Sequence, residues 1–330
     1  MIRVTGEERF QDFASSYDVL YGKEAVRQVV RKNSIKKFSP SGCQGISFLR
    51  PVLDFYRFVR ANFSPEELLG VYLHGSLGAM DFVEGYSDFD ALFIVRQEIF
   101  KEDRLILKVK EKITRANTFL YLLDPLQHHN AFVICEADMQ YYYETIFPTV
   151  LFDYACEVTD FHQELVFRCL NSEKYLEELF LFWEHVFDAP AQYGLDLPRV
   201  YSIKHAAQSI AFLPAAYLQA KTKQFMFKKF TFAGAKKDFP ETDWAVIERV
   251  TKLRDTYSFK SFYPYHLRKW CGMNLHYKYL QILHRFLDRN RPREMLAVLG
   301  DQYLDEARQL IKKMKTALYG NERDSKKLYQ

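Results

Sequence analysis

Two aspartates separated by a single residue, Asp88 and Asp90, carry the plainest chemical signal in the chain. They stand directly before Ala91-Leu92-Phe93-Ile94-Val95, an apolar run that reads as a buried strand. Residues two apart on extended backbone point to one face, so the spacing sets both carboxylates side by side. Like charges so placed repel each other unless a cation lies between them. Hard divalent ions take that position, held by one or two carboxylates together with substrate phosphates. Upstream, Val71-Tyr72-Leu73-His74 reads as a second buried strand that empties into the turn Gly75-Ser76. The backbone N–H groups of such a turn, and the Ser76 hydroxyl, can hold a phosphate where the next helix starts.

A strand, a Gly-Ser turn, a short helix and an Asp-x-Asp pair at the next strand together resemble the nucleotidyltransferase superfamily typified by DNA polymerase β. The matching residues are Gly75, Ser76, Asp88 and Asp90, with Ser87 before the pair as is common in that family. The interval from Ser76 to Asp88 is slightly longer than usual, and the extra residue is expected between Met80 and Tyr86. The resemblance covers residues 45–140. It implies an α/β N-terminal nucleotidyltransferase domain, a small mixed sheet with helices, followed by an all-α C-terminal domain. That layout is similar to the antibiotic adenylyltransferases and to the poly(A) polymerase and oligoadenylate synthetase groups. The resemblance also implies Mg²⁺ or Mn²⁺ on Asp88 and Asp90, a nucleoside triphosphate as co-substrate, and Gly75 and Ser76 on its outer phosphates. Transfer of a nucleoside monophosphate to a hydroxyl would then follow a two-metal in-line displacement. The acceptor stays open among a small molecule, a protein side chain and an RNA end. Two other classes stand beside the enzyme: a nucleotide-binding regulatory protein that keeps the fold without turnover, and an antitoxin-like interaction partner.

The pattern departs from the family at one place. Active members usually carry a third carboxylate on a later strand facing the pair, and the strand expected there, Asn130 to Cys135, holds no acid. Glu136 follows its end, Asp138 lies beyond, Asp124 is expected at the end of the preceding strand, and His129 stands just before it. Glu136 suits a metal chemically but falls at the wrong end of the strand. His129 is nearer the expected place, and a neutral imidazole can act as a general base near pH 7. His129 is therefore preferred over Glu136. The doublet His128-His129 also invites a metal, but neighbours on a strand point oppositely, so at most one would reach it without help from a turn. Lys204 sits on an apolar helix, where a lone charge needs a partner. Related folds use such a residue on the triphosphate, and that role is expected for Lys204.

The elements that must position these residues follow from hydrophobic spacing. Val52, Phe55, Tyr56, Val59 and Phe63 form an apolar stripe on a helix from Pro51 to Asn62, before the first strand. Glu98 to Arg115 reads as an amphipathic crossover helix, Thr118 to Leu123 as a β-rich run, and Ala131 to Cys135 as a further strand. A helix through Ser16–Lys32 is expected in an N-terminal extension over 1–44, ahead of a catalytic domain over 45–158. From 159 to 330 the chain reads as helical, with long helices over Glu164–Val186 and Val200–Ala220, the latter kinked at Pro214. Further helices are expected from Thr242 to Thr256, over 272–288 and over 293–317. The Lys/Phe-rich stretch 221–237 could stack and charge-pair with single-stranded nucleic acid, but more often such a stretch anchors a loop.

Composition narrows the classes. The 330 residues suffice for two cores, and 48% apolar with 16% aromatic residues describes a globular chain. No run of 18 apolar residues and no signal-peptide core appear, so neither a membrane nor secretion is expected. Five scattered cysteines without a Cys-x-x-Cys point to reduced thiols in the cytoplasm. The net charge of +4 is uneven: residues 1–159 hold 18 Lys+Arg against 22 Asp+Glu, and residues 160–330 hold 28 against 20. A basic second half suits a triphosphate or nucleic acid better than a cationic substrate.

Overall fold

The computed structural model describes residues 27–31, 35–144, 147–170, 173–257, 264–280, 282 and 292–320. The two apolar runs beside the Gly-Ser turn and the Asp-x-Asp pair form the centre of the first unit. Strand β3 (Leu68–Leu73) pairs antiparallel with β4 (Ala91–Val95), and β4 pairs in parallel with β5 (Phe132–Cys135). With β2 (Lys36–Lys37) and β6 (Cys156–Glu157) they make a five-stranded mixed sheet in the order β2-β6-β3-β4-β5. Every residue of β3 and β4 is buried. Both sheet faces are covered, which is why these strands read as continuous apolar runs and not as alternating ones.

The period of two sorts their side chains between two cores. Val71, Leu73, Phe93 and Val95 join Phe55 of α1 (Arg50–Asn62) and Phe119 of α3 (Asp103–Leu123). Tyr72, Leu92 and Ile94 join Phe147, Phe152 and Phe167 on the opposite face. Helix α2 (Gly75–Gly78) is a single turn between β3 and β4. The chain order is thus α1-β3-α2-β4-α3-β5 around a small mixed sheet.

Three sequence expectations fail in this unit, each through a tertiary contact. The helix expected to run through Lys32 ends as a strand in its described part: β1 (Arg27–Arg31) pairs antiparallel with β7 (Leu165–Cys169), while residues 16–26 lie outside the described residues. Helical spacing cannot register a ladder partner so distant in sequence. The same pairing splits the helix expected over Glu164–Val186 into β7 and helix α4 (Glu173–Asp188). Thr118 to Leu123 is not a strand but the last turns of α3, where every residue from Ala116 to Leu123 is buried. Packing on all sides outweighs the weak β preference of Thr, Phe and Tyr.

The described residues form two compact units, the first within 1–171 and 258–284 and the second within 172–257 and 285–330. The expected division at 158/159 leaves out this return of the chain to the first unit. It is fixed by helix α9 (Tyr265–Asn274). Tyr265 Oη and Lys269 Nζ each donate to Asp54 Oδ2 on α1 at 2.7 Å, and Arg268 Nη1 donates to the Leu122 carbonyl at 3.2 Å. Gly272 has no side chain because a Cβ there would collide with Thr118 Cγ2 of α3.

The described elements of the second unit are helical: α4, α5 (Val200–Ile210), α6 (Leu213–Thr222), α7 (Thr231–Lys236), α8 (Glu241–Thr256), α10 (Pro292–Leu299) and α11 (Tyr303–Tyr319). The helix expected over Val200–Ala220 breaks at Ala211-Phe212, and Pro214 sits in the first turn of α6, where its missing N–H costs nothing. The helix expected over 293–317 divides at Gly300, whose φ of +82° ends α10. Lys204 is buried on α5. In the Lys/Phe stretch, Lys223 pairs with Glu177, Lys236 with Glu248, and Phe227 is buried. No helix among the described residues is long and apolar enough to cross a membrane.

Candidate functional site

The Asp-x-Asp pair sits just before β4, in its extended lead-in. Phe89 is fully buried and packs edge-on against Phe55, ring centroids 5.0 Å apart, while Asp88 and Asp90 on either side are half-buried. The alternation that points Phe89 into the core turns both carboxylates the other way. Across the sheet, His74 N–H at the end of β3 donates to the Asp90 carbonyl at 3.1 Å. That contact delivers the next residue, Gly75, to the Asp90 side chain.

Gly75 has φ +60°, a left-handed conformation that a side chain resists. A Cβ there would also collide with the Asp90 carboxylate. Two independent constraints therefore require glycine, and the second is contact between the turn and the acid pair. Ser76 follows in α2, and its carbonyl accepts from Asp81 N–H at 2.8 Å. The long interval to Asp88 is absorbed by left-handed residues at Met80 (φ 53°) and Gly85 (φ 75°). Ser87 closes the loop, its Oγ accepting from Val83 N–H at 2.7 Å.

Facing the pair is the loop before β5. Strand register matches Leu92 with Phe132, so the loop residues 128–130 come level with residues 88–90. His129 Nε2 lies 3.1 Å from Asp90 Oδ1, and His128 Nδ1 lies 3.4 Å from Asp88 Oδ2. Both histidines reach the site with the help of a turn, the condition under which the sequence allowed it. They are not on a strand, and a turn held by Gln127 N–H to the Asp124 carbonyl (3.0 Å) brings both rings round. The rings meet edge to face at 4.6 Å.

Glu136 is not part of this site. It lies past the far end of β5, where Arg96 Nη1 donates to it at 3.3 Å and Gln97 N–H at 3.3 Å. Because β4 and β5 run parallel, residues after β5 meet those after β4 and not those before it. Asp138 is likewise used locally, accepting from Cys135 N–H at 2.8 Å. The site described is built from the first unit alone, whereas Lys204 belongs to the second.

Sequence reasoning missed Gln127. It is fully buried, accepts from Phe89 N–H at 3.0 Å and donates to the Phe89 carbonyl at 3.2 Å. Its side chain acts as a strand partner for one residue and locks the histidine loop to the aspartate segment. The only signal in sequence is an amide beside two histidines after an apolar helix. Asn130 is anchored too, accepting from Tyr121 Oη (3.2 Å) and donating to Tyr277 Oη (2.8 Å).

The charges of the site are mutually arranged. Burial disfavours a charged ring at His129, but the hydrogen bond and charge of Asp90 outweigh it and lift the ring to about 9. Both ring nitrogens face acceptors, Nδ1 donating to the Asn130 carbonyl at 2.9 Å. In the ion-free site these contacts favour the protonated ring, whereas the general-base role expected for His129 needs the neutral one. Burial raises Asp90, but the hydrogen bond from His129 and the nearby imidazoles hold it below the ordinary carboxylate value. Burial pushes His74 down to about 4 against the pull of Asp90. The neutral His74 packs edge-on to Phe147 at 4.7 Å, and its buried Nε2 has no partner among the described residues.

A divalent cation fits this donor set. Asp88, His128 and His129 present ligand atoms that all lie within 4.8 Å of one another, and Asp90 adjoins them through His129. Comparison with known protein families, curated proteins and solved structures finds no match.

Proposed function

We propose that the first unit is a nucleotidyl-transfer domain, which binds a nucleoside triphosphate with a divalent cation at Asp88 and Asp90 and passes the nucleoside monophosphate to a hydroxyl. The observation that carries this reading is the seating of the Asp90 carboxylate on the backbone of Gly75. It supports one shared phosphate and cation site from two motifs that are each weak alone. The α1-β3-α2-β4-α3-β5 order agrees with the layout that the resemblance implies. The five cysteines, free in the structure, suit the reducing conditions of a cytoplasmic setting.

A bound cation would neutralise the triphosphate and make the acceptor hydroxyl more acidic. The chain supplies the rest. Gly75 leaves room for the Asp90 carboxylate against the turn, and Ser76 would offer a backbone N–H and a hydroxyl to the outer phosphates. His129 holds Asp90 in place and is assigned to positioning, not to proton abstraction. In the transfer, the acceptor oxygen bonds to the α-phosphorus as the bond to the β-phosphate oxygen breaks; pyrophosphate leaves and the acceptor proton passes to solvent. One observation favours a second reading, nucleotide binding without turnover: an imidazole stands where active members carry a third carboxylate.

Incubation of the full chain with each α-labelled triphosphate, Mg²⁺ or Mn²⁺ and a cell extract separates the two. Label on a small molecule, RNA or protein, with none from γ-labelled triphosphate, is the outcome expected for nucleotidyl transfer and assigns the acceptor class. Saturable nucleotide binding with no label transferred would favour the regulatory reading.

A further inference from the structure

The ligand atoms around Asp88 are not the oxygens that Mg²⁺ prefers. Two of the three clustered groups are imidazoles. Imidazole nitrogen with carboxylate oxygen suits borderline transition ions, whereas Mg²⁺ demands near-octahedral oxygen and keeps several waters. We propose that Asp88, His128 and His129 form a binding centre for a borderline divalent ion of the Zn²⁺ or Co²⁺ kind, with a position left open for a ligand oxygen. The inference concerns the same site as the transfer reading but does not depend on transfer.

Distances support it. Around a tetrahedral ion with metal–nitrogen bonds of 2.0–2.1 Å, ligand atoms lie about 3.3 Å apart. The three groups here are within 4.8 Å of one another, and His128 Nδ1 is already 3.4 Å from Asp88 Oδ2.

The surroundings also have the form of a metal site. A metal-ligating histidine usually donates its second ring N–H to a carbonyl or carboxylate, which fixes the ring. His129 does so, with Nδ1 on the Asn130 carbonyl at 2.9 Å and Nε2 turned to the carboxylates. Gln127 holds the histidine loop to Phe89 by two hydrogen bonds, which sets the separation of the ligands. Asn130 is clamped by Tyr121 and Tyr277. Three protein ligands leave one tetrahedral position, the arrangement of catalytic and not of structural zinc sites. On binding, the ion takes the place of any proton on His129 Nε2, which leaves to solvent, and gives up bound waters as Asp88, His128 and His129 attach.

The test uses the full chain, stripped with a chelator and titrated with Co²⁺ in the absence of nucleotide. Expected is the intense visible absorption of a four- or five-coordinate Co²⁺ site, abolished by equimolar Zn²⁺ and untouched by roughly a hundredfold excess of Mg²⁺. His128→Ala, at an exposed residue with no part in the core, should fold as wild type and weaken Co²⁺ binding at least about tenfold. His129→Ala should do the same, with circular dichroism confirming its fold. Weak octahedral absorption, displacement by comparable Mg²⁺, or unchanged affinity in folded His128→Ala would overturn the inference. The two readings separate cleanly: label transfer in Mg²⁺ with no Co²⁺ signal removes this one alone. A Co²⁺ signal with no transfer from any triphosphate removes only the other.

Discussion

At Gln127 the site depends on one side chain that reaches both the aspartate segment and an imidazole, its Nε2 lying 3.4 Å from His129 Nδ1. Its amide pairs both main-chain groups of Phe89 in a region closed to water. Gln127→Ala leaves two buried backbone groups unpaired, and at about 1–3 kcal/mol each the expected loss is about 2–6 kcal/mol in a denaturant titration. A loss under 0.5 kcal/mol would mean that water replaces the amide at little cost. The Asp90–His129 pair makes a pH prediction. The folded-state value of about 9 for His129 lies above its unfolded value of about 6.5. Its contribution is thus fully present below pH 6.5 and lost as the pH rises through 9, with an upper bound of about 3 kcal/mol. Melting in chelator should show this fall for wild type and not for His129→Ala. Gly75, Ser76 and the aspartates were legible in the sequence because their spacing is local and their chemistry unusual. The reach of His128 was not, since it depends on a turn that the apolar pattern does not encode. Nor was the charge of His129, which a partner far along the chain sets.

Among the elements, α9 lies on α3 without a side chain at the crossing. Gly272→Ala should destabilise the first unit by about 1–3 kcal/mol, because the new methyl meets Thr118 Cγ2. Thr118→Ser removes that methyl, so the double variant should recover much of the loss. Additive losses in the double-mutant cycle would show that the two positions are not in contact. The strands β3 and β4 and helix α1 stood out in sequence through strong, uninterrupted apolar patterns. The strand pair β1 and β7 did not, because each half looks helical until its distant partner is known. Thr118–Leu123 misled in the opposite sense: β-favouring residues buried on every side serve a helix equally well.

On the scale of the whole molecule, the chain leaves the first unit near residue 171 and returns at 258. The returning segment brings Tyr265, Lys269, Tyr277 and Leu280 to partners on α1, to Asn130 and to the core. A fragment ending at 171 should therefore melt well below one in which residues 258–284 are fused back through a flexible linker. Equal melting would show the return to be dispensable. Composition indicated two cores and a basic second half, but it could not show that one core is built from two stretches of chain. Nucleotidyl transfer at Asp88 and Asp90, the latter seated beside Gly75, is what we propose for the first unit. Asn at both positions keeps an acceptor oxygen for His129, so Asp88→Asn/Asp90→Asn should fold with the wild-type circular dichroism spectrum. With α-labelled triphosphate, divalent cation and extract, wild type is expected to transfer label and the folded double variant about a thousandfold less; equal transfer by the two would contradict the account.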